Sequence, residues 1–146
     1  MAGCAPPMAS PGVRLKKSHY ELLASWRYSL RAFQRFSQVE AQAAGLTPQQ
    51  HQALLAIMGL PGRDYASVGE IAERLHLRHH SAVGLVDRLA KRQLVQRQAS
   101  KSDRRRMEVR VTAKGEKLLG KLSAAHLEEL RQLSPKLKRL LASLSE

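Results

Sequence analysis

The chain has 146 residues, of which 43% are hydrophobic and only 4% aromatic. This length and composition fit one compact domain whose core is built from Leu, Ala, Ile and Val side chains. The formal net charge of +13 favours a polyanionic partner, either nucleic acid or an acidic membrane surface. A membrane-spanning helix needs about 20 consecutive apolar residues, and no segment approaches that length, so nucleic acid is the stronger candidate.

Residues 1–17 are predicted to be a disordered leader, followed by a single domain over residues 18–146. The first 11 residues are rich in Ala, Pro and Gly, and they lack the charged start and apolar run of a secretory signal. The single cysteine, Cys4, cannot form a disulfide within the chain, which favours a reducing cytoplasm.

Helical patterns occupy the first part of that domain. Residues 18–44 repeat apolar side chains at steps of three and four, and Gly45 ends the pattern. The repeated apolar positions are Leu23, Trp26, Leu30 and Phe33. A second helix is predicted to begin after a Thr47 N-cap, with Pro48 in its first turn and Gln50 completing a capping box.

Two further helices joined by a short turn have the spacing of a helix-turn-helix. Ser67 and Glu70 form a predicted capping box at the start of a helix that ends at Leu75. After a turn at His76, a fourth helix is predicted over about residues 78–92. Its buried stripe is expected at Ala82, Leu85, Val86 and Leu89. In this layout the second helix of the pair enters the DNA major groove.

A hairpin with a cationic tip is predicted next. Residues 94–98 and 107–111 have strand character. The segment 99–106 between them carries one lysine and three arginines against the single acid Asp103.

The C-terminal region is predicted to hold two helices. Thr112 caps a fifth helix that ends near Leu133, and Ser134 and Pro135 begin a sixth. Leucines at steps of three and four form an apolar stripe of the kind through which helices associate. Pro135 is expected to break this stripe into two pieces.

The first turn of the fourth helix and the hairpin tip are the predicted DNA-binding elements. An Arg in the major groove can donate two hydrogen bonds to guanine, and a Ser can contact a base or a phosphate. The cationic tip suits the minor groove, where a narrow width deepens the negative potential and attracts Arg. The residues expected to contact DNA are Ser67, Arg78, His79, His80, Ser81, Arg88, Lys101, Ser102, Arg104, Arg105 and Arg106. A solvated basic face on an ordinary helical domain is the alternative, but it would have to explain both the helix spacing and the hairpin charge.

Five segments together resemble the MarR family of winged helix-turn-helix transcriptional regulators. In chain order they are LTPQQ at 46–50, SVGEIAERL at 67–75, VGLVDRL at 83–89, DRR at 103–105 and VTAKG at 111–115. The resemblance implies a mainly α fold with a small β-hairpin wing, in which the winged helix-turn-helix covers about residues 47–112. It also implies N- and C-terminal dimerisation helices over about residues 18–44 and 113–146.

The resemblance further implies a homodimer that binds a pseudo-palindromic operator in double-stranded DNA, and we expect a repressor. In the family, the wing aspartate holds an arginine that enters the minor groove, and these residues correspond to Asp103 and Arg105. A nearby carboxylate can order a long side chain in advance and reduce the entropy lost on binding.

Two positions depart from the family pattern. Gly84 stands where a longer polar or basic residue is frequent, which puts the detailed base specificity in doubt. Gln93 stands where Gly usually ends the recognition helix, and a left-handed backbone there would cost of order 1 kcal/mol.

A small effector is another implication, because the family binds ligands, often aromatic anions, between the dimer helices and the winged domain. Trp26, Arg27 and Arg31 are the candidate ligand-binding residues. Trp26 also fits the apolar stripe of a core, and the arginines recur as on a solvated face, so both interpretations stay open. Cys4 would make the regulator thiol-responsive only through an intermolecular disulfide, since the chain has no second cysteine.

No cofactor, metal site or catalytic activity is expected. His76 and His80 lack the Cys or carboxylate partners of a usual zinc site, whereas His19, His51 and His126 lie in different predicted helices and could converge. The sequence has no Gly-x-Ser-x-Gly, His-Glu-x-x-His or phosphate-loop motif. A winged helix that holds a protein partner, with only non-specific DNA binding, is the main alternative to a sequence-specific regulator.

Overall fold

The computed structural model describes residues 14–145, and it has the predicted mainly α architecture with a small β wing. Within that range the helices are α1 (Lys17–Ala43), α2 (Pro48–Met58), α3 (Val68–Leu75), α4 (His79–Lys91) and α5 (Ala113–Ala142), followed by a 3-10 turn at Ser143–Ser145. The strands are β1 (Tyr65–Ala66), β2 (Val95–Ala99) and β3 (Met107–Val111). Most of the predicted leader, residues 1–13, lies outside the described residues, and so does Cys4.

Side-chain caps set the starts of α2 and α3. The capping box of α2 is confirmed: Thr47 Oγ1 accepts the Gln50 N–H at 3.1 Å, and Gln50 Oε1 accepts the Thr47 N–H at 3.1 Å. At α3, Ser67 Oγ accepts the Glu70 N–H at 3.1 Å. The second half of the predicted box is wrong, because the Glu70 carboxylate forms an ion pair with Arg63 instead.

The three strands form one antiparallel sheet in the order β1-β3-β2. β2 and β3 pair over their full length, as the predicted hairpin requires. The first strand was not predicted, because two residues are too short to show an alternating pattern. It pairs Tyr65 with Arg110 and Ala66 with Val109. This short ladder attaches the segment before α3 to the wing, which comprises β2, β3 and the loop 100–106.

The hydrophobic core lies where α2, α3 and α4 pack on the sheet. The predicted stripe of α4 is confirmed, since its four side chains are at most 1% exposed. These side chains lie together with the buried residues Leu54, Ile57, Ile71, Leu94 and Val109. The apolar face of α4 is thereby directed inward, which leaves its opposite face to solvent.

The start of α5 fits closely against the end of the wing. Thr112 caps the helix as predicted, because its Oγ1 accepts the Gly115 N–H at 3.1 Å. Gly115 is buried, and a Cβ built there would lie 2.3 Å from the Leu94 carbonyl oxygen and 2.8 Å from Val111 Cγ1. Only a glycine lets the helix approach the sheet this closely.

Among residues 14–145, two non-glycine residues have left-handed backbones, and both follow helices of the helix-turn-helix. His76 has φ of 53° and Gln93 has φ of 59°, so the left-handed conformation considered for Gln93 is confirmed. The Gln93 carbonyl accepts a hydrogen bond from Thr112 Oγ1 at 2.6 Å. This bond joins the turn after α4 to the start of α5 and helps to hold the strained residue.

The predicted break in the C-terminal region is wrong. α5 runs without interruption from Ala113 to Ala142, with Pro135 inside it. A proline removes a single backbone N–H donor, and here the hydrogen bonds on either side and the packing of α1 along α5 maintain one helix.

The core position expected for Trp26 is also wrong within a single chain. Leu23, Trp26 and Leu30 are 58%, 42% and 38% exposed, whereas the buried residues of α1 are Ser29, Ser37 and Ala41. These three apolar side chains are therefore only partly covered by the described part of the chain. None of the helices between residues 14 and 145 combines the length and apolar composition needed to cross a membrane.

Candidate nucleic-acid interface

The recognition turn, defined as residues Arg78, His79, His80 and Ser81, lies at the start of α4. Arg78 is the N-cap with an extended backbone, and all four side chains are exposed. Among residues 14–145, none of these side chains makes a hydrogen bond or ion pair. Four polar side chains and the free backbone donors of a helix N-terminus are therefore available to a ligand.

Contacts at the other end of α4 fix its orientation. Arg92 Nη1 donates to the Gly45 carbonyl at 2.7 Å and to Gln50 Oε1 at 3.2 Å. An ion pair between Asp87 and Arg97 joins α4 to β2. Exposed ion pairs contribute little to stability, so their main effect here is to orient the helix relative to the wing.

Gly84 lies beside Arg88 on α4. A Cβ built at Gly84 would lie 3.4 Å from Arg88 Nη1. The space that a longer side chain would use at position 84 is therefore partly taken by the guanidinium of Arg88, which is itself exposed. The absence of a side chain at Gly84 thus leaves room for the Arg88 guanidinium, which the sequence did not show.

The wing loop presents the predicted cations to solvent. Lys101, Arg104, Arg105 and Arg106 are all exposed. The loop is closed at its base, where the Ser100 N–H donates to the Arg106 carbonyl at 2.9 Å. The hydroxyl of Ser100, a buried residue, lies 3.0 Å from Ser102 Oγ. The backbone of the loop is thus held while its cationic side chains remain free to bind.

Asp103 orders the wing differently from what the resemblance implies. Its Oδ1 accepts the backbone N–H of Arg105 at 3.0 Å, and its carbonyl accepts the Arg106 N–H at 3.0 Å. Within the described part of the chain, the carboxylate makes no ion pair with the guanidinium of Arg105. The contact therefore constrains the backbone at Arg105 and leaves its side chain free.

Three of the predicted DNA-binding residues line one cleft between the start of α3 and the base of the wing. They are Ser67, Ser102 and Arg106, and the cleft has a volume of about 330 Å³. The cleft also contains Glu70 and Glu108, but each carboxylate is paired, with Arg63 and Arg110 respectively. The other predicted residues lie outside its lining.

An aromatic and ionic group at the edge of this cleft was missed from the sequence. The guanidinium carbons of Arg63 and Arg110 lie 5.3 Å and 4.7 Å from the centroid of the Tyr65 ring. Both distances are in the range of cation–π contacts. No local sequence signal reveals this group, because Arg110 is distant in sequence and meets Tyr65 only through the strand pairing.

The candidate effector residues are not brought together. Trp26 lines an apolar cleft of about 190 Å³ between α1 and the C-terminal end of the described chain. The other lining residues are Leu22, Leu23, Leu140, Leu141 and Leu144. Arg27 and Arg31 are exposed and do not line that cleft, so among the described residues of the single chain nothing there complements an anion.

Of His19, His51 and His126, which lie in different helices, two are in contact. The rings of His51 and His126 are 4.8 Å apart between centroids, whereas His19 lies at the start of α1 and accepts the Lys16 N–H at 3.0 Å. Burial, and secondarily the neighbouring His126, lowers the pKa of His51 from its ordinary value of 6.5. In residues 14–145 no three His, Cys, Asp or Glu side chains are grouped to hold a metal ion.

Comparison with known proteins agrees with this architecture. Residues 44–106 match the model of the MarR family. A multiple antibiotic-resistance repressor (MarR) from Listeria monocytogenes is 25% identical with a TM-score of 0.66, covering 90% of this chain and 99% of that chain. A MarR family protein from Bacillus stearothermophilus is 20% identical with a TM-score of 0.72, and the coverages are 92% and 100%. A point mutant of MepR from S. aureus, bound to an oligodeoxyribonucleotide, is 19% identical with a TM-score of 0.64 and coverages of 90% and 99%.

No curated protein sequence matches the chain. At these identities the likeness to the solved structures establishes the fold, while the family match falls on the helix-turn-helix and most of the wing. The chain therefore has the fold of the MarR family regulators, and its helix-turn-helix segment matches the model of that family.

Proposed function

We propose that two copies of this chain bind a pseudo-palindromic DNA operator and repress transcription. Each recognition turn enters a major groove, and each Arg105 enters an adjoining minor groove. The observation that carries the proposal is that the recognition turn and the wing cations are exposed on elements whose backbones are held in place. The family consists of regulators and not of enzymes, so the proposed activity is binding.

Exposed apolar side chains on α1 and α5 support assembly into a dimer. These large side chains are Tyr20, Leu23, Trp26, Tyr28, Leu30, Val39, Leu127, Leu130 and Leu141. Exposed apolar surface of this kind marks a contact site, because covering it removes apolar area from water. A two-fold contact through these helices would present two winged regions to half-sites about one helical turn apart.

The charge distribution supports binding to the DNA backbone. The chain carries 25 Lys and Arg residues against 12 Asp and Glu, and each phosphate that they neutralise releases counterions. A point mutant of MepR, which has a similar fold, has been observed bound to an oligodeoxyribonucleotide. A strong decrease of affinity with salt is therefore expected.

Release from DNA by a small effector is the second part of the proposal. A ligand that fits only one spacing of the two recognition helices would shift the equilibrium by its differential affinity for the two states. The apolar cleft at Trp26 lies on the helices proposed to form the dimer. Because no cation among the described residues lines it, an aromatic anion would need Arg27 or Arg31 to be brought to the cleft in the dimer.

Selection of bound duplexes from a random pool tests the proposal directly. A pseudo-palindromic consensus should emerge, and fluorescence anisotropy should show much tighter binding to the consensus than to a shuffled duplex of equal length. Light scattering in the same buffer should give the mass of a dimer. Equal affinity for both duplexes would support the alternative of a protein-interaction module and contradict the proposal.

A further inference from the structure

We infer that Tyr65 positions the wing, and through the wing Arg105, by joining the start of α3 to β3. This inference rests on the proposed function, since it concerns how the same DNA-binding surface is held. Tyr65 is half-buried in β1 and lies opposite Arg110 in the sheet.

On the side of the helix-turn-helix, Arg63 links the Tyr65 ring to α3. The Arg63 guanidinium, 5.3 Å from the centre of the Tyr65 ring, forms a two-bond ion pair with Glu70, in which Nη1 lies 3.1 Å from Oε1. Glu70 is in the first turn of α3, and its backbone N–H is bound by the Ser67 cap. Movement of α3 therefore acts on Tyr65 through Arg63.

On the side of the wing, Arg110 links the Tyr65 ring to β3. Arg110 lies on β3 with its guanidinium carbon 4.7 Å from the centre of the same ring. Arg110 donates to Asp64 Oδ1 at 3.0 Å and to Glu108 Oε2 at 2.9 Å. Both terminal nitrogens of Arg110 are thus occupied, and the Tyr65 ring is the group that both arginines share.

The ladder between β1 and β3 is too short to hold the wing by itself. It contains two residue pairs, whereas isolated short strands need further packing to be stable. The contacts around Tyr65 add an aromatic surface and arginine–carboxylate links at that junction. Because Arg63 and Arg110 are engaged in this way, we assign them to holding the wing rather than to binding phosphate.

A small change at this junction would be enlarged at the wing loop. Arg105 is five residues from Arg110 along the chain, which corresponds to roughly 15 Å in an extended strand. A tilt of the wing by about 10° would then move the loop by about 3 Å over that length. Such a shift is large compared with the geometry that a minor-groove hydrogen bond tolerates.

A double-mutant cycle with Arg105 tests the inference. Operator affinity is measured at fixed salt for the wild type, Tyr65→Leu, Arg105→Ala and the double variant. Tyr65→Leu is expected to weaken binding by about tenfold, and the loss should fall to less than about twofold in the Arg105→Ala background. Tyr65→Phe keeps the ring and should bind within about twofold of the wild type.

Arg63→Gln is the second variant, and it keeps the measurement decisive if Tyr65→Leu fails to fold. It cuts the link to α3 and leaves the ring in place, so its loss of affinity should also vanish in the Arg105→Ala background. Melting temperature and dimer mass are recorded for every variant.

The outcomes separate this inference from the proposed function. Wild-type affinity in Tyr65→Leu, or equal losses with and without Arg105, would overturn the positioning role while leaving DNA recognition by the wing intact. A wild-type protein that does not distinguish its operator from shuffled DNA would overturn both.

Discussion

His51 and His126 form a buried contact between the helix-turn-helix region and the C-terminal helix, with their ring centres 4.8 Å apart. His126 Nδ1 donates to the Leu122 carbonyl at 2.6 Å, so in the neutral ring Nε2 accepts the Ser37 hydroxyl at 2.9 Å. His51 is only 3% exposed, and its Nδ1 has no hydrogen-bond partner among the described residues. The structure therefore favours the neutral form of His51.

Acidification should destabilise the fold through His51. Its pKa in the folded chain is lowered, first by burial and then by His126, from the ordinary 6.5. The unfolded chain consequently takes up a proton more readily, and the free energy of unfolding should fall as the pH drops below about 6.5 toward the lowered value. Urea unfolding between about pH 7.5 and pH 5.5 should show a steeper loss for the wild type than for His51→Leu, which cannot titrate there. Parallel curves for the two proteins would contradict this.

The contact of Asp103 with the Arg105 backbone makes a specific prediction. Asp103→Asn keeps an oxygen that can accept the Arg105 N–H, so operator binding should stay close to wild type or improve through the lost negative charge. Asp103→Ala should weaken it, and Arg105→Ala should weaken it by about 1–3 kcal/mol while the dimer persists. Anisotropy titrations at constant salt measure all three, with Lys121→Ala on α5 as a charge control. If Asn is as harmful as Ala, the carboxylate acts on the guanidinium instead.

Association of two chains should depend on the exposed stripe of α1. Trp26→Arg places a charge where an apolar contact with a second copy is expected, and an unpaired buried charge is costly. Multi-angle light scattering should then report a monomer, and operator affinity should fall with it. Leu55→Arg is the matched control, because Leu55 is similarly exposed at 48% but lies on α2. A dimer in Trp26→Arg would place the interface elsewhere.

Two glycines of α5 should respond in opposite directions to the same substitution. Gly115→Ala would bring a methyl group to 2.3 Å from the Leu94 carbonyl oxygen, and such overpacking should lower stability by about 1–3 kcal/mol. Gly120→Ala meets nothing within 4 Å and should raise stability by up to about 1 kcal/mol through helix propensity. Thermal unfolding of the two variants decides the point, and a neutral Gly115→Ala would show that α5 can move away from the sheet.

Elements whose signals lie within a few residues of one another could be predicted from the sequence. Thr47, Ser67 and Thr112 cap their helices because each cap bonds to a residue three positions along the chain. The buried face of α4 and the pairing of β2 with β3 followed equally from local periodicity and a short connection. The exposed cations of the recognition turn and the wing could be predicted for the same reason. They lie at the start of the α4 pattern and in the loop between the two strand patterns.

Which distant residues meet depended instead on how the elements pack. The contacts of Tyr65 with Arg110 and of His51 with His126 join segments far apart in the chain, and no local pattern encodes such pairs. The continuous helix through Pro135 depended on packing against α1, which outweighs one missing hydrogen bond. Trp26 looked like a core residue because periodicity shows that a helix face is apolar, but it does not show whether the chain itself supplies the surface that covers it.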